Sequence, residues 1–119
     1  MKLDANLVAR GWVDLQSLNL NSEEYRAGSW AFEIVLDAME RDGRYVWEII
    51  EQILVADQVG QFSEALAVGI LDEFLSRYGS EFMNQVEAKI VRDANFRKAL
   101  MSVNLPVGNQ IRDRIRSAM

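Results

Sequence analysis

The sequence predicts an all-α protein: about seven short amphipathic helices packed as antiparallel hairpins, in a compact bundle or a short solenoid-like stack. Three observations predict it. Apolar residues recur at steps of three and four, the period of a helix face, and no stretch shows the period-two alternation of a half-buried strand above that signal. One proline, Pro106, interrupts 119 residues, so little in the chain breaks helices. The joints between periodic stretches are short, which favours antiparallel neighbours.

The elements follow in order. A first helix starts near the N-cap Asp4, with Leu3, Leu7, Val8, Trp12, Leu15 and Leu18 on one stripe. Asn19 to Ser22 breaks it. The second starts at Asn21, with Glu24 as the capping-box acid and Leu20 and Tyr25 at the staple positions. Its apolar set is Tyr25, Phe32, Val35, Leu36 and Met39, and Gly43 is placed to end it with positive φ. The third spans about Arg44 to Asp57 and buries Val46, Trp47, Ile50, Ile53 and Leu54. Gln58 to Gln61 is a loop around Gly60. The fourth, about Phe62 to Tyr78, carries two adjacent apolar rows, Phe62–Leu66–Ile70–Phe74 and Ala67–Leu71–Leu75–Tyr78, so it is central. Gly69 inside it costs about 1 kcal/mol relative to alanine, which points to a close helix crossing there, and Gly79 ends the helix. A fifth starts at Ser80 and buries Phe82, Met83, Val86 and Ile90. Asp93 caps a sixth with Phe96, Leu100 and Val103 inward. After a linker from Asn104 to Gly108, the last helix has Ile111, Ile115 and Met119 on one row.

Length and composition fit one domain over 1–119, since domains commonly hold roughly 100–150 residues. Half of the residues are apolar and 26% are charged, with three tryptophans and five phenylalanines, ample for a core and unlike a disordered chain. No run approaches the ~20 apolar residues of a membrane span. The stretch Met1 to Asn6 lacks a signal peptide's apolar segment, and without cysteine there is no disulfide framework. The expectation is a cytoplasmic protein with no membrane partner.

Histidine and cysteine are absent, and threonine does not occur either. The usual neutral-pH proton shuttle, thiol nucleophile and transition-metal ligands are therefore missing. No phosphate-loop, dinucleotide or EF-hand spacing is present. Asp72 and Glu73 are adjacent and point about 100° apart on a helix, poor geometry for a catalytic pair. The expectation is a protein that is not an enzyme, with no cofactor and no metal.

Charge is uneven. Residues 1–57 carry 11 acids and 5 bases, a net of −6; residues 58–88 carry 5 acids and 1 base, a net of −4; residues 89–119 carry 2 acids and 7 bases, a net of +5. Glu33, Asp37 and Glu40 share one helix face. As a solvated face they pair locally, Asp37 with Arg41 and Glu40 with Arg44. As a docking face they steer a basic partner. Trp12 and Trp47 fall on core stripes. Trp30 lies off its stripe and is the tryptophan placed for partial exposure, where the residue type favours binding. Asp72 and Glu73 complete the candidate partner-binding set of Trp30, Glu33, Asp37, Glu40, Asp72 and Glu73. Arg112, Arg114 and Arg116 form a basic patch on the last helix. Helix-dipole compensation and pairing with the acidic body account for it better than nucleic acid does.

The stretch Trp47 to Leu100 resembles an uncharacterised family of small bacterial helical proteins. The resemblance rests on Trp47, Ile50, Ile53 and Leu54, then Ala67, Gly69, Leu71, Asp72 and Leu75, then Gly79, Phe96 and Arg97, with Trp12 and Trp30 upstream. The chain departs from the pattern at Ile70, where the family has proline, and at Asp72, where it has glutamate. The resemblance implies an all-helical fold and carries over no activity and no catalytic residue. Within the Gly69–Asp72 block, packing and capping outweigh a shared site.

The functional expectation is a protein-binding protein whose acidic surface engages a basic partner, such as a toxin or nuclease, in an immunity or antitoxin role. The alternatives are a self-associating scaffold, in which the basic C-terminal part of one copy meets the acidic body of another, and a nucleic-acid accessory protein acting through residues 89–119.

Overall fold

The structure, a computed structural model, describes residues 2–106 and 108–119. Eight α-helices are present among them: α1 (Ala5–Gln16), α2 (Glu23–Gly28), α3 (Trp30–Arg41), α4 (Gly43–Ala56), α5 (Ser63–Leu66), α6 (Asp72–Arg92), α7 (Ala94–Leu100) and α8 (Gln110–Ala118). A π-helical turn, Ala67–Leu71, joins α5 to α6. No strand occurs among the described residues. The fold is all-α. The helices group into two compact units, Met1–Phe62 and Ser63–Met119.

In the first unit α1 packs on α4 and α3. Asp4 caps α1, its side chain accepting from the Asn6 N–H at 2.8 Å. Val8, Ala9, Trp12 and Leu15 are buried on its inner stripe. Leu3 and Leu7 from the predicted stripe are exposed.

Three boundaries differ from the sequence reading. Ser22, not Asn21, caps α2: its hydroxyl accepts from the Tyr25 N–H at 3.1 Å. That shift leaves Glu24 out of a capping box, and Leu20 is 71% exposed and forms no staple. The predicted second helix is two helices. At Ser29 the backbone tightens to an i−3 bond onto the Arg26 carbonyl, which the Ser29 hydroxyl also reaches at 2.9 Å, the tighter turning that divides a helix. Gly43 does not end α3. Asp42 makes the break with φ −146° and ψ 78°, and its carboxylate accepts from the Tyr45 N–H at 3.2 Å, so Gly43 is already the first residue of α4. A side chain that satisfies the new helix's orphan amides replaces the left-handed cap.

α4 is the core helix of this unit, burying Val46, Trp47, Ile49, Ile50, Ile53 and Leu54. After it, the carboxylate of Asp57 accepts from the Gln61 N–H at 2.9 Å and the Phe62 N–H at 2.8 Å. Gly60 takes φ 67° inside that loop, a left-handed position that suits glycine.

In the second unit the sequence reading ends a helix at Gly79 and starts another at Ser80. The structure runs α6 straight through both. Gly79 is there because α8 lies on it: a Cβ would sit 3.1 Å from Ile111 Cγ2. The close approach assigned to Gly69 falls at Gly79 instead, and Gly69 is exposed in the π turn. The wider turn adds a residue without breaking the helix, and Leu66, Ala67, Ile70, Leu71, Phe74 and Leu75 all stay buried around it. Phe74 packs against Tyr78 and Phe82, centroids 5.7 Å and 5.4 Å apart. Asp93 caps α7 through the Phe96 N–H at 3.0 Å. Arg97 Nη1 donates to the Ile90 carbonyl at 2.6 Å, satisfying one of the last carbonyls of α6. Asn109 caps α8 at the Arg112 N–H, 3.1 Å.

Candidate functional site

The predicted site residues separate. Trp30, Glu33 and Asp37 come together in the first unit, where α3 presents them one turn apart along a surface groove of about 620 Å³ that Lys2, Ile34, Arg41, Asp42 and Tyr45 complete. Trp30 is half-buried, whereas Trp12 and Trp47 are core, as their stripe positions require. The indole closely approaches α1 where position 11 is glycine: a Cβ there would be 2.8 Å from Trp30 Cζ2. Glu40 is exposed and does not line the groove.

Asp72 and Glu73 belong to the second unit and have local duties. The Asp72 carboxylate accepts from the Asn104 N–H at 2.8 Å, tying the segment after α7 to the start of α6. Glu73 pairs with Arg77 one turn on, at 2.7 Å. Of the basic patch, Arg114 is held by Glu87 through Nη2 at 2.5 Å and Nε at 3.3 Å. Arg112 and Arg116 line a separate small groove of this unit.

Two ion pairs, Lys2–Asp42 and Arg41–Asp37, lie along the first-unit groove. Lys2 Nζ is 2.5 Å from Asp42 Oδ2 and 4.8 Å above the Tyr45 ring centroid. The hydrogen bond to Asp42 is the main cause that raises the Lys2 pKa above its ordinary value. The same bond, and then the Tyr45 N–H, holds the Asp42 carboxyl below the usual range. Burial, first, pushes the Tyr45 phenol up, and its hydroxyl donates to the Leu3 carbonyl at 2.6 Å. Asp37 pairs with Arg41, as the i,i+4 spacing predicts, and raises the guanidinium pKa.

A second open groove, of about 560 Å³, shares Lys2, Leu3 and Tyr45 with the first and adds Asp4, Glu48 and Glu51. Together the two grooves carry six carboxylates (Asp4, Glu33, Asp37, Asp42, Glu48, Glu51) against two cations, Lys2 and Arg41. The apolar residues Leu3, Trp30 and Ile34 line the first groove with them. Sequence reasoning missed Asp4, Asp42, Glu48 and Glu51, because they sit on other elements and meet α3 only through the packing of α1, α3 and α4. The sequence signal that remained was the net −6 of this half.

Among the described residues no group of three or more acidic side chains is arranged to hold a metal ion. No helix among them is long and apolar enough to cross a membrane.

Fold and surface define a small all-helical protein with an acidic, partly apolar face on its N-terminal unit. By sequence the chain belongs to DUF6869, a family of unknown function, whose model matches residues 18–119. No curated protein and no solved structure matches it.

Proposed function

We propose that this chain is a non-enzymatic protein-binding protein that engages a basic partner through the N-terminal unit. The carboxylates that line the grooves beside Leu3, Trp30 and Ile34 carry this reading. Apolar and aromatic residues beside a predominantly acidic lining suit the general layout of a protein interface, with an aromatic anchor and a charged rim. The rim steers association with an oppositely charged surface and makes it salt-sensitive. A toxin or nuclease with a phosphate-attracting cleft has the matching chemistry, and covering that cleft is an immunity- or antitoxin-type role.

The test is affinity capture from the native host with wild type and with a variant carrying Trp30→Ala, Glu33→Gln and Asp37→Asn. The expected result is one stoichiometric basic protein retained by wild type at low salt, released by about 0.5 M salt and absent from the variant. Equal capture by both proteins, or no stoichiometric partner, refutes the reading.

A further inference from the structure

The two grooves of the first unit share Lys2, Leu3 and Tyr45. Lys2 and Leu3 belong to the short segment ahead of α1, and Tyr45 anchors it: the phenol hydroxyl donates to the Leu3 carbonyl at 2.6 Å. The segment is a strap laid where the grooves meet. Its own lysine is seated on the acidic lining, with Nζ 2.5 Å from Asp42 Oδ2 and 4.8 Å from the centre of the Tyr45 ring. A carboxylate beside an aromatic face is a pairing that recognises an ammonium group. Glu48 lines the second groove on the same side of Tyr45 as Glu51 and Gln52, one and two helical turns along α4.

Little holds the strap down. The Lys2 side chain is 61% exposed and that of Asp42 33%, and an ion pair so open to water contributes little. Neither neighbouring helix start depends on it. The Asp4 carboxylate caps α1 through the Asn6 N–H, and the Asp42 carboxylate caps α4 through the Tyr45 N–H. Both bonds are made without Lys2 or Leu3.

We propose that Lys2 is a built-in stand-in for the partner: the strap covers the Asp42–Tyr45 position until a lysine of the basic partner displaces Lys2 and takes its place over the ring. This rests on the basic-partner reading and states how that partner is admitted. With Lys2 and Leu3 lifted, the acidic lining runs on across Tyr45, from Glu33 and Asp37 to Glu48 and Glu51. A tethered group competes at an effective concentration of about 1 mM or more. A lone ammonium ion below that level is therefore turned away, and a partner that offers several lysines together is accepted. A position covered in most molecules binds with an affinity reduced to the fraction in which it is open.

The experiment is a calorimetric titration of the whole chain with a deca-lysine peptide at low salt, wild type against Tyr45→Phe. That substitution keeps the ring and the net charge and removes only the hydroxyl that anchors Leu3. Freeing the strap is expected to tighten the peptide about twofold to tenfold, the factor that one hydrogen bond supplies. Lys2→Ala, at an exposed position, carries the same test without touching the core. It is expected to tighten the peptide more than Arg41→Ala, which removes an equal charge from the same groove but lies outside the strap. In wild type the Lys2 and Leu3 amide resonances are expected to move toward random-coil positions as the peptide binds. Peptide that binds wild type with those resonances unmoved, or that binds Tyr45→Phe no more tightly, overturns the strap and leaves the basic-partner reading standing. So does an equal gain from Lys2→Ala and Arg41→Ala, which is the effect of charge alone. Peptide that binds neither wild type nor any variant overturns both.

Discussion

Replacing Gly79 by alanine sets two free-energy terms against each other inside the second unit. Alanine in a helix interior is favoured over glycine by about 1 kcal/mol. The new methyl, however, would lie 3.1, 3.2 and 3.3 Å from Cγ2, Cδ1 and Cγ1 of Ile111. Carbon atoms in good contact sit at ~3.5–4.0 Å, so three atoms of one side chain must each retreat by a few tenths of an ångström. Overpacking of this kind costs about 1–3 kcal/mol. Ile111 is half-buried and has some room to yield, which places the cost near the middle of that range. The net expectation is a destabilisation of about 1 kcal/mol for Gly79→Ala. Ile111→Ala removes all three opposing atoms. In that background Gly79→Ala should stabilise by about 1 kcal/mol, a coupling near 2 kcal/mol. Urea unfolding of the four proteins, followed by helical circular dichroism, completes the cycle. A stabilising Gly79→Ala in wild type, or the same effect in both backgrounds, refutes the reasoning.

The remaining predictions concern the first unit. Gly11→Ala would set a Cβ 2.8 Å from the Trp30 ring and 3.1 Å from the Ala31 Cβ; the rigid indole must move, so the variant should lose about 1–3 kcal/mol and shift the Trp30 indole N–H resonance, and an unshifted resonance would contradict the packing. Asp57→Ala orphans the Gln61 and Phe62 amides and should cost about 2 kcal/mol in denaturant unfolding; a change near zero removes Asp57 as the loop's organiser. Lys2→Ala should raise the Asp42 pKa toward its unfolded value of about 3.9, read from its carboxyl carbon by NMR. Because the Asp42 pKa is lowered in the folded protein, its contribution to stability is present above about pH 4 and fades as pH falls through the folded pKa. Removing Lys2 should therefore flatten the acid limb of the stability profile and leave its shape at neutral pH alone. An Asp42 titration unchanged by the substitution would contradict the pairing.

The all-helical fold was legible because hydrophobic period is a strong signal over ten or more residues, and the cores of α1, α4 and α6 follow it. Boundaries were less so. A glycine in sequence announces freedom, and only the three-dimensional neighbours say what that freedom serves. At Gly79 it admits Ile111, and at Gly43 it opens a helix that Asp42 has already capped. Phe32 and Leu36 continue the apolar pattern of α3, yet α3 meets neighbours over a narrower arc than the pattern covers, so they stay exposed. Within the candidate site, Trp30, Glu33 and Asp37 could be read from one helix wheel. Asp4, Asp42, Glu48 and Glu51 could not, since carboxylates distant in sequence gather only through tertiary packing. Asp72 illustrates the converse: a carboxylate that looks available in sequence is bound to the Asn104 amide.

The central claim is that cations are drawn to the face around Leu3 and Tyr45 more than to any other part of the surface. A titration of the isotope-labelled chain with a deca-lysine peptide at low salt, read residue by residue from amide and carboxyl shifts, tests it most directly. The account predicts that Asp4, Glu33, Asp37, Asp42, Glu48 and Glu51 respond first and together, with the Trp30 indole, while Glu64, Glu73 and Glu81 lag. Shifts spread evenly over all carboxylates, or centred on the second unit, would contradict it.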